Sequence, residues 1–103
     1  MVHRVCLHRL KAVGYKYGFD IPWDTCIGGG FVIKHFGLLI INHQCVIGEN
    51  CTVSPGTVIG KSYGKVPYIG DNVTIGVNCS IIGGVEIASG AIIGAGSVVV
   101  KDV

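Results

Sequence analysis

The side chains of this 103-residue chain that could do acid–base or ligand chemistry are few and fall mostly into two short stretches. Of the four histidines, His3 and His8 stand near the start, while His35 and His43 lie close together further along. A neutral imidazole, with a pKa near 6.5, can take a proton from a hydroxyl close to neutral pH or ligate a metal. The second stretch, Lys61-Ser62-Tyr63-Gly64-Lys65-Val66-Pro67, puts two lysines into one loop. Five cysteines (Cys6, Cys26, Cys45, Cys51 and Cys79) are odd in number and form no Cys-x-x-Cys. That pattern fits reduced thiols in a cytoplasm rather than a disulfide framework. Zinc sites built on histidine want three ligands brought together; beyond residue 18 only His35 and His43 are available, so no metal is expected.

The elements that must position these groups are legible as a period. From Ile21 a branched aliphatic recurs every six residues: Ile21, Ile27, Ile33, then Ile41, Ile47, Val53, Ile59, then Ile69, Ile75, Ile81, Ile87, Ile93 and Val99. The phase slips by two residues after Ile33 and by four after Ile59. Three residues after the aliphatic stand Asp24, Gly30, Asn50, Gly56, Asn72, Asn78, Gly84, Gly90, Gly96 and Asp102, residues that accept a positive φ at low cost, so each hexad should end in a tight turn. Four residues after it comes a smaller side chain, such as Thr25, Cys45, Cys51, Thr57, Val73, Cys79, Val85, Ala91 or Ser97, which makes three of the cysteines fillers of an inward column. Two-residue strands, a turn every six residues and a stacked Ile/Val column describe a parallel β-solenoid with triangular coils of about 18 residues. Thirteen hexads predict a little over four coils, over residues 19–103. Perfect repeats build scaffold, so the groups in the two phase slips are the candidates for chemistry.

Composition narrows the alternatives. No run without a formal charge exceeds 14 residues, short of the roughly 20 apolar residues of a spanning helix, so no membrane insertion is expected. Charged residues are 14% and mean hydropathy is +0.61, which excludes a disordered chain. Residues 1–18 carry Arg4, Arg9, Lys11 and Lys16 with no acid. Within them, residues 2–13 read as a short helix ending near Gly14, a cap on the lower end of the solenoid; its basic face reads as solvated rather than as a nucleic-acid site. Nothing in Met1–Ala12 resembles a secretion signal.

The string Ile33-Lys34-His35-Phe36-Gly37-Leu38-Leu39-Ile40-Ile41, with Val46-Ile47-Gly48, Thr57-Val58-Ile59-Gly60 and the ending Ile93-Gly94-Ala95-Gly96-Ser97-Val98-Val99-Val100-Lys101-Asp102-Val103, resembles the hexapeptide-repeat acyltransferases. Within them it is most similar to serine O-acetyltransferases and their sugar- and capsule-modifying relatives, over about residues 18–103 and without gaps from Asp20 to Lys61. The resemblance implies an all-β, left-handed parallel β-helix, a cytoplasmic homotrimer, and sites between subunits. It implies that His35 is the general base toward an acceptor hydroxyl and that Asp20 orients it. Acetyl-CoA would be the co-substrate, held by Gly60, Lys61, Gly76, Val77, Gly94 and Ala95, with Lys101 toward a phosphate. Transfer would be direct, through an oxyanion held by backbone N–H groups.

Departures from the serine enzymes bear on the acceptor. They carry Asp before the catalytic histidine, where this chain has Lys34, and Arg-His before the loop proline, where it has Lys65-Val66. Residues 1–18 are too few to reproduce the helical N-terminal domain of those enzymes. The acceptor is therefore expected to be a small molecule or sugar hydroxyl, with Lys34, His43 and Lys65 lining its site; the alternative is a serine O-acetyltransferase of cysteine biosynthesis. Two further readings are a γ-class carbonic anhydrase, for which a third histidine is wanting, and a decayed trimeric scaffold, which the presence of both Asp20 and His35 opposes.

Overall fold

The computed structural model describes residues 19–21, 25–35 and 37–103, with Phe19 and Asp20 followed as backbone. The expected cap over residues 1–18 lies outside the described residues.

Thirteen strands are described: β1 (Phe19–Asp20), β2 (Cys26–Ile27), β3 (Val32–Ile33), β4 (Leu39–Ile41), β5 (Val46–Ile47), β6 (Thr52–Val53), β7 (Thr57–Gly60), β8 (Tyr68–Ile69), β9 (Thr74–Ile75), β10 (Ser80–Ile82), β11 (Glu86–Ile87), β12 (Ile92–Ile93) and β13 (Val98–Val99). Every third strand joins the same sheet. The first sheet runs β1-β4-β7-β10-β13, the second β2-β5-β8-β11 and the third β3-β6-β9-β12, all of them parallel. One pass over the three sheets is a coil, so β1 to β12 make four coils and β13 begins the next.

Register shows how the two phase slips are absorbed. Unbroken coils bring Ser80 against Val98 and Ile92 against Thr74. Coils containing the first slip pair Cys26 with Val46, and those containing the second pair Val46 with Tyr68. Extra residues therefore bulge outward while aliphatic still stacks on aliphatic: Ile27, Ile47, Ile69 and Ile87 in one column, Ile41, Ile59, Ile81 and Val99 in another. Twelve of the thirteen predicted Ile/Val positions are buried, and Ile33, in the end strand of its sheet, is partly so.

The smaller inward column is present as well, and several of its polar members bond to the neighbouring coil, whereas the buried Thr25 Oγ1 has no hydrogen-bond partner among the described residues. Cys51 and Cys79 donate from Sγ to the carbonyls of Gly70 and Gly94 (3.1 and 3.2 Å), and Thr57 Oγ1 donates to that of Gly76 (3.0 Å). Each ties one coil to its neighbour at a corner, where no strand pairing exists. Leu39 and Pro67, fully buried, belong to this column too: each stands two residues before an aliphatic, at the point where a slip has restored the phase.

Two details depart from the sequence reading. The positive-φ residue is found where expected at Gly30, Asn50, Gly56, Asn72, Asn78, Gly90 and Gly96, but at Gly83 instead of Gly84 and not at Asp102. At the first of these corners Val85 N–H donates back to Gly83 C=O (2.7 Å), a three-residue turn that moves the reversal one position earlier. At the second, Asp102 Oδ1 accepts from Glu86 N–H (2.8 Å), so a side chain does the work of the turn. The thiols also divide: Cys45, Cys51 and Cys79 are buried and outside any disulfide, whereas Cys26 is disulfide-bonded, so the expectation of uniformly reduced thiols does not hold at Cys26.

Two expected outcomes follow from this packing. Ile75→Ala, which empties a fully buried position, should cost about 2–5 kcal/mol, and Ile33→Ala clearly less; urea titrations of both variants measure the difference. Burial pushes the Cys45 thiol from 9.0 up to about 12, against a smaller lowering by a backbone hydrogen bond at Asn42. The unfolded thiol ionises first, so this contribution to stability is whole below pH 9 and is lost as pH rises toward 12. Cys45→Val, a side chain the same column already holds at Val73 and Val85, should show a smaller loss than the parent as pH rises above about 9; an equal loss in both would contradict the assignment.

Candidate active site

The two interruptions of the hexad lie on opposite edges of the first sheet. Residues 34–38 turn from β3, in the third sheet, to β4, in the first; residues 61–67 turn from β7, in the first, to β8, in the second. A triangular coil with its apolar residues inside can lengthen only at a corner, which is why the extra residues gather there.

His35 is exposed at the first of these corners, but the backbone around it is held. Lys34 N–H donates to Val53 C=O (3.1 Å), and Gly56 N–H donates to Leu38 C=O (2.5 Å). Between these two bonds Gly37 has φ +149°, and a Cβ there would stand 2.8 Å from Pro55 Cβ. The next coil thus clamps the chain on both sides of an imidazole that faces solvent. Lys34 is exposed beside it. Asp20 lies in β1 with its backbone against Ile40 of β4; its side chain, and with it the expected pairing to His35, lies outside the described residues, as does Phe36.

Four of the residues expected to hold the co-substrate share the His35 corner in the coils that follow. Gly76 and Val77 leave β9 toward β10, and Gly94 and Ala95 leave β12 toward β13. These glycines differ in purpose. A Cβ on Gly76 would stand 2.7 Å from Ala95 N, so glycine there lets the coils meet; a Cβ on Gly94 would meet only Ser97 Oγ at 3.9 Å, which leaves that backbone open to a ligand. Val77 is itself exposed.

The remaining candidates, His43, Gly60, Lys61, Lys65 and Lys101, all lie on the opposite corner, between the first and second sheets. His43 is exposed next to Asn42, whose Oδ1 accepts from Gln44 N–H (2.9 Å). Lys61 and Lys101 are exposed, while the stem of Lys65 crosses Gly84, where a Cβ would stand 2.9 Å from Lys65 Cδ. Within one chain, then, His35 and the loop lysines are separated by the width of the first sheet.

Three clefts border the loop or the second sheet. A cleft of about 390 Å³ is lined by Ser62, Tyr63, Lys65, Gly83 and Val100, and one of about 410 Å³ by Gly64, Lys65, Val66, Tyr68 and Glu86. A third, of about 310 Å³, lies on the second sheet against Tyr68, Glu86, Ser89 and Asp102. None of the three contains His35. Among the described residues no three His, Cys, Asp or Glu side chains stand close enough to share a metal ion, and no helix is long and apolar enough to cross a membrane. Sequence reasoning passed over Tyr63, fully exposed at φ +50°; the signal was a bulky residue before glycine at the centre of the loop.

Comparison with known proteins agrees with this geometry. Residues 67–101 match the model of the bacterial transferase hexapeptide (six repeats), and residues 39–62 match the hexapeptide repeat of succinyl-transferase. Among curated relatives, a serine acetyltransferase of Bacillus pumilus is 40% identical over 99% of this chain and 57% of its own length. Serine acetyltransferase 4 of Arabidopsis thaliana is 35% identical over 88% of this chain and 27% of its own length. Among solved structures, the serine acetyltransferase of Neisseria gonorrhoeae in complex with serine superposes with a TM-score of 0.73 at 41% identity, covering 84% of this chain and 36% of that one. Serine acetyltransferase isoform 3 of Entamoeba histolytica, in complex with cysteine, gives 0.77 at 31% identity, covering 84% and 32%. The chain thus spans little more than half the length of its curated relatives, or less.

Proposed function

Because the chain belongs to the hexapeptide-repeat acyltransferases, left-handed parallel β-helices among which it is most similar to the serine acetyltransferases, we propose that it moves an acetyl group from acetyl-CoA to a hydroxyl of a small molecule or sugar. The observation that carries this reading is the clamped loop of His35, exposed at the one corner that also carries Gly76, Val77, Gly94 and Ala95.

An alcohol does not attack a thioester readily until its proton has somewhere to go, and a neutral imidazole takes it near neutral pH. His35 removes the hydroxyl proton as the oxygen bonds to the thioester carbonyl carbon. The tetrahedral oxyanion, held by backbone N–H groups, then collapses with loss of the CoA thiolate, which takes the proton back from the imidazolium. Asp20, on the strand that flanks β4, orients the imidazole. Gly94 and Ala95 offer open backbone to the pantetheine arm, and Gly60, Lys61, Gly76 and Val77 complete its path, with Lys101 toward a phosphate.

The placement of the two edges supports a homotrimer. If three copies turn their first sheets toward a common axis, the lysine-bearing edge of one meets the His35 edge of the next. From β4 onward the outer face of that sheet carries Ile40, Val58, Ser80 and Val98, uncharged and mostly apolar, as an interface requires, while Asp20 of β1 is in register with Ile40. Lys34, His43 and Lys65 would then face the acceptor from two subunits. The cytoplasm, where acetyl-CoA is at hand, is the proposed location.

His35→Ala should lower transfer by about 10²–10⁴-fold while leaving acetyl-CoA binding in place, and Asp20→Asn should cost less, since it disturbs the base without deleting it. Steady-state assays of released CoA thiol measure both, and a loss under about tenfold for His35→Ala would remove it from the mechanism. The same assay decides the acceptor. Lys34 repels the ammonium of an amino acid, at a cost on the order of 1–4 kcal/mol, and Lys65-Val66 lacks the fork that grips a carboxylate. L-Serine should therefore be a poor acceptor beside sugars, and Lys34→Asp should improve it modestly at most; efficient acetylation of L-serine by the parent protein would restore the serine acetyltransferase assignment.

A further inference from the structure

At the tip of the extended loop, Ser62 and Lys65 exchange both backbone hydrogen bonds, Ser62 N–H to Lys65 C=O (2.9 Å) and Lys65 N–H to Ser62 C=O (3.0 Å). The two residues between them, Tyr63 and Gly64, have φ +50° and +74°. This is a two-residue turn of type I′, whose first position belongs by preference to Asn, Asp or Gly. Tyrosine there is unfavourable twice over. Its Cβ crowds the backbone in the left-handed region, and its ring, fully exposed, gains nothing from packing.

The base of the turn is also supported. Lys65 lies across Gly84, and a Cβ on Gly83 would stand 3.5 Å from Ser62 Cβ, so the hairpin rests on the coil above it. A strained and exposed aromatic has no use within the chain that carries it, and such outliers collect at ligand-contacting positions.

We propose that Tyr63 is the platform on which the acceptor stacks, and that the acceptor is therefore a pyranose. This rests on the transferase reading above, in which the loop edge of one subunit meets the His35 edge of the next. A sugar presents a flat, apolar C–H face to an aromatic ring while its edge hydroxyls seek donors and acceptors. Ser62 and Lys65, both lining the cleft of about 390 Å³ beside Tyr63, supply a hydroxyl and an ammonium group at that edge. A three-carbon amino acid has no such face to offer.

The test uses the full chain with ¹³C-labelled tyrosine rings, titrated with methyl β-D-galactopyranoside, methyl β-D-glucopyranoside and, for contrast, L-serine. The Tyr63 ring signals should shift with at least one pyranoside and stay in place with L-serine. In kinetics, Tyr63→Asn should raise the melting temperature, because asparagine tolerates the turn, and raise the sugar KM by about five- to tenfold with the acetyl-CoA KM unchanged; Tyr63→Trp should stay close to the parent. The proposal is overturned if no pyranoside moves the ring signals, if Tyr63→Asn leaves the sugar KM unchanged, or if it raises the acetyl-CoA KM instead. Dissociation of the Tyr63→Asn assembly in sedimentation would also overturn it, marking Tyr63 as an interface residue. Failure of the parent to acetylate any acceptor would refute the transferase reading, whereas the ring titration judges Tyr63 independently of turnover.

Discussion

One branched aliphatic side chain resting on another, coil upon coil, is the contact on which the rest of this molecule depends. Ile41, Ile59, Ile81 and Val99 form one such column, and every other regularity follows from keeping it in register. Strands of two to four residues allow few inward side chains each, so the chain must turn soon after, and the turn must be tight. Positive φ at Gly30, Asn50, Gly56, Asn72, Asn78, Gly90 and Gly96 meets that need. The small column then fills the corners, where Cys51, Thr57 and Cys79 satisfy carbonyls of the neighbouring coil.

Such a scaffold leaves little freedom for function. A residue added within a strand would swing its aliphatic out of the column, because side-chain direction alternates with each residue. Length is gained at corners, outward, where the strand alternation is not disturbed. Both interruptions obey this, and both are braced by the coil above: the first through Gly56 and Pro55, the second through Gly83 and Gly84. The chemistry-bearing groups are thus held on a rigid support while remaining accessible, the arrangement that positioned catalysis requires. The same geometry sets His35 and the loop lysines on different corners, so a site that used both would need a second copy of the chain.

Much of the fold was readable from the order of residues alone. The six-residue period, its two slips, the inward Ile/Val positions, the small column and most of the turn residues reflect strictly local needs: a branched side chain to stack, a residue tolerant of positive φ, a side chain small enough for a corner. Such needs leave a mark on residue type at each position, and so His35, Lys61 and Lys65 stood out as groups that interrupt the pattern.

What depended on contacts between coils was not readable, because residue type does not reveal what lies one coil away. Only the folded chain shows that Leu39 and Pro67 join the small column after the slips, and that a three-residue turn moves the reversal from Gly84 to Gly83. It separates Gly76, a glycine because Ala95 crosses it, from Gly94, where a side chain would meet almost nothing. Burial beneath the next coil pushes the Cys45 thiol up to about 12. Tyr63 is the plainest case. A bulky residue before glycine marks the loop centre, but its strain and full exposure come from a hairpin closed by Ser62 and Lys65 and supported on the following coil. Local preference wrote the scaffold into the sequence, whereas the stacking of coils more than a dozen residues apart decided which surfaces were left open for a ligand.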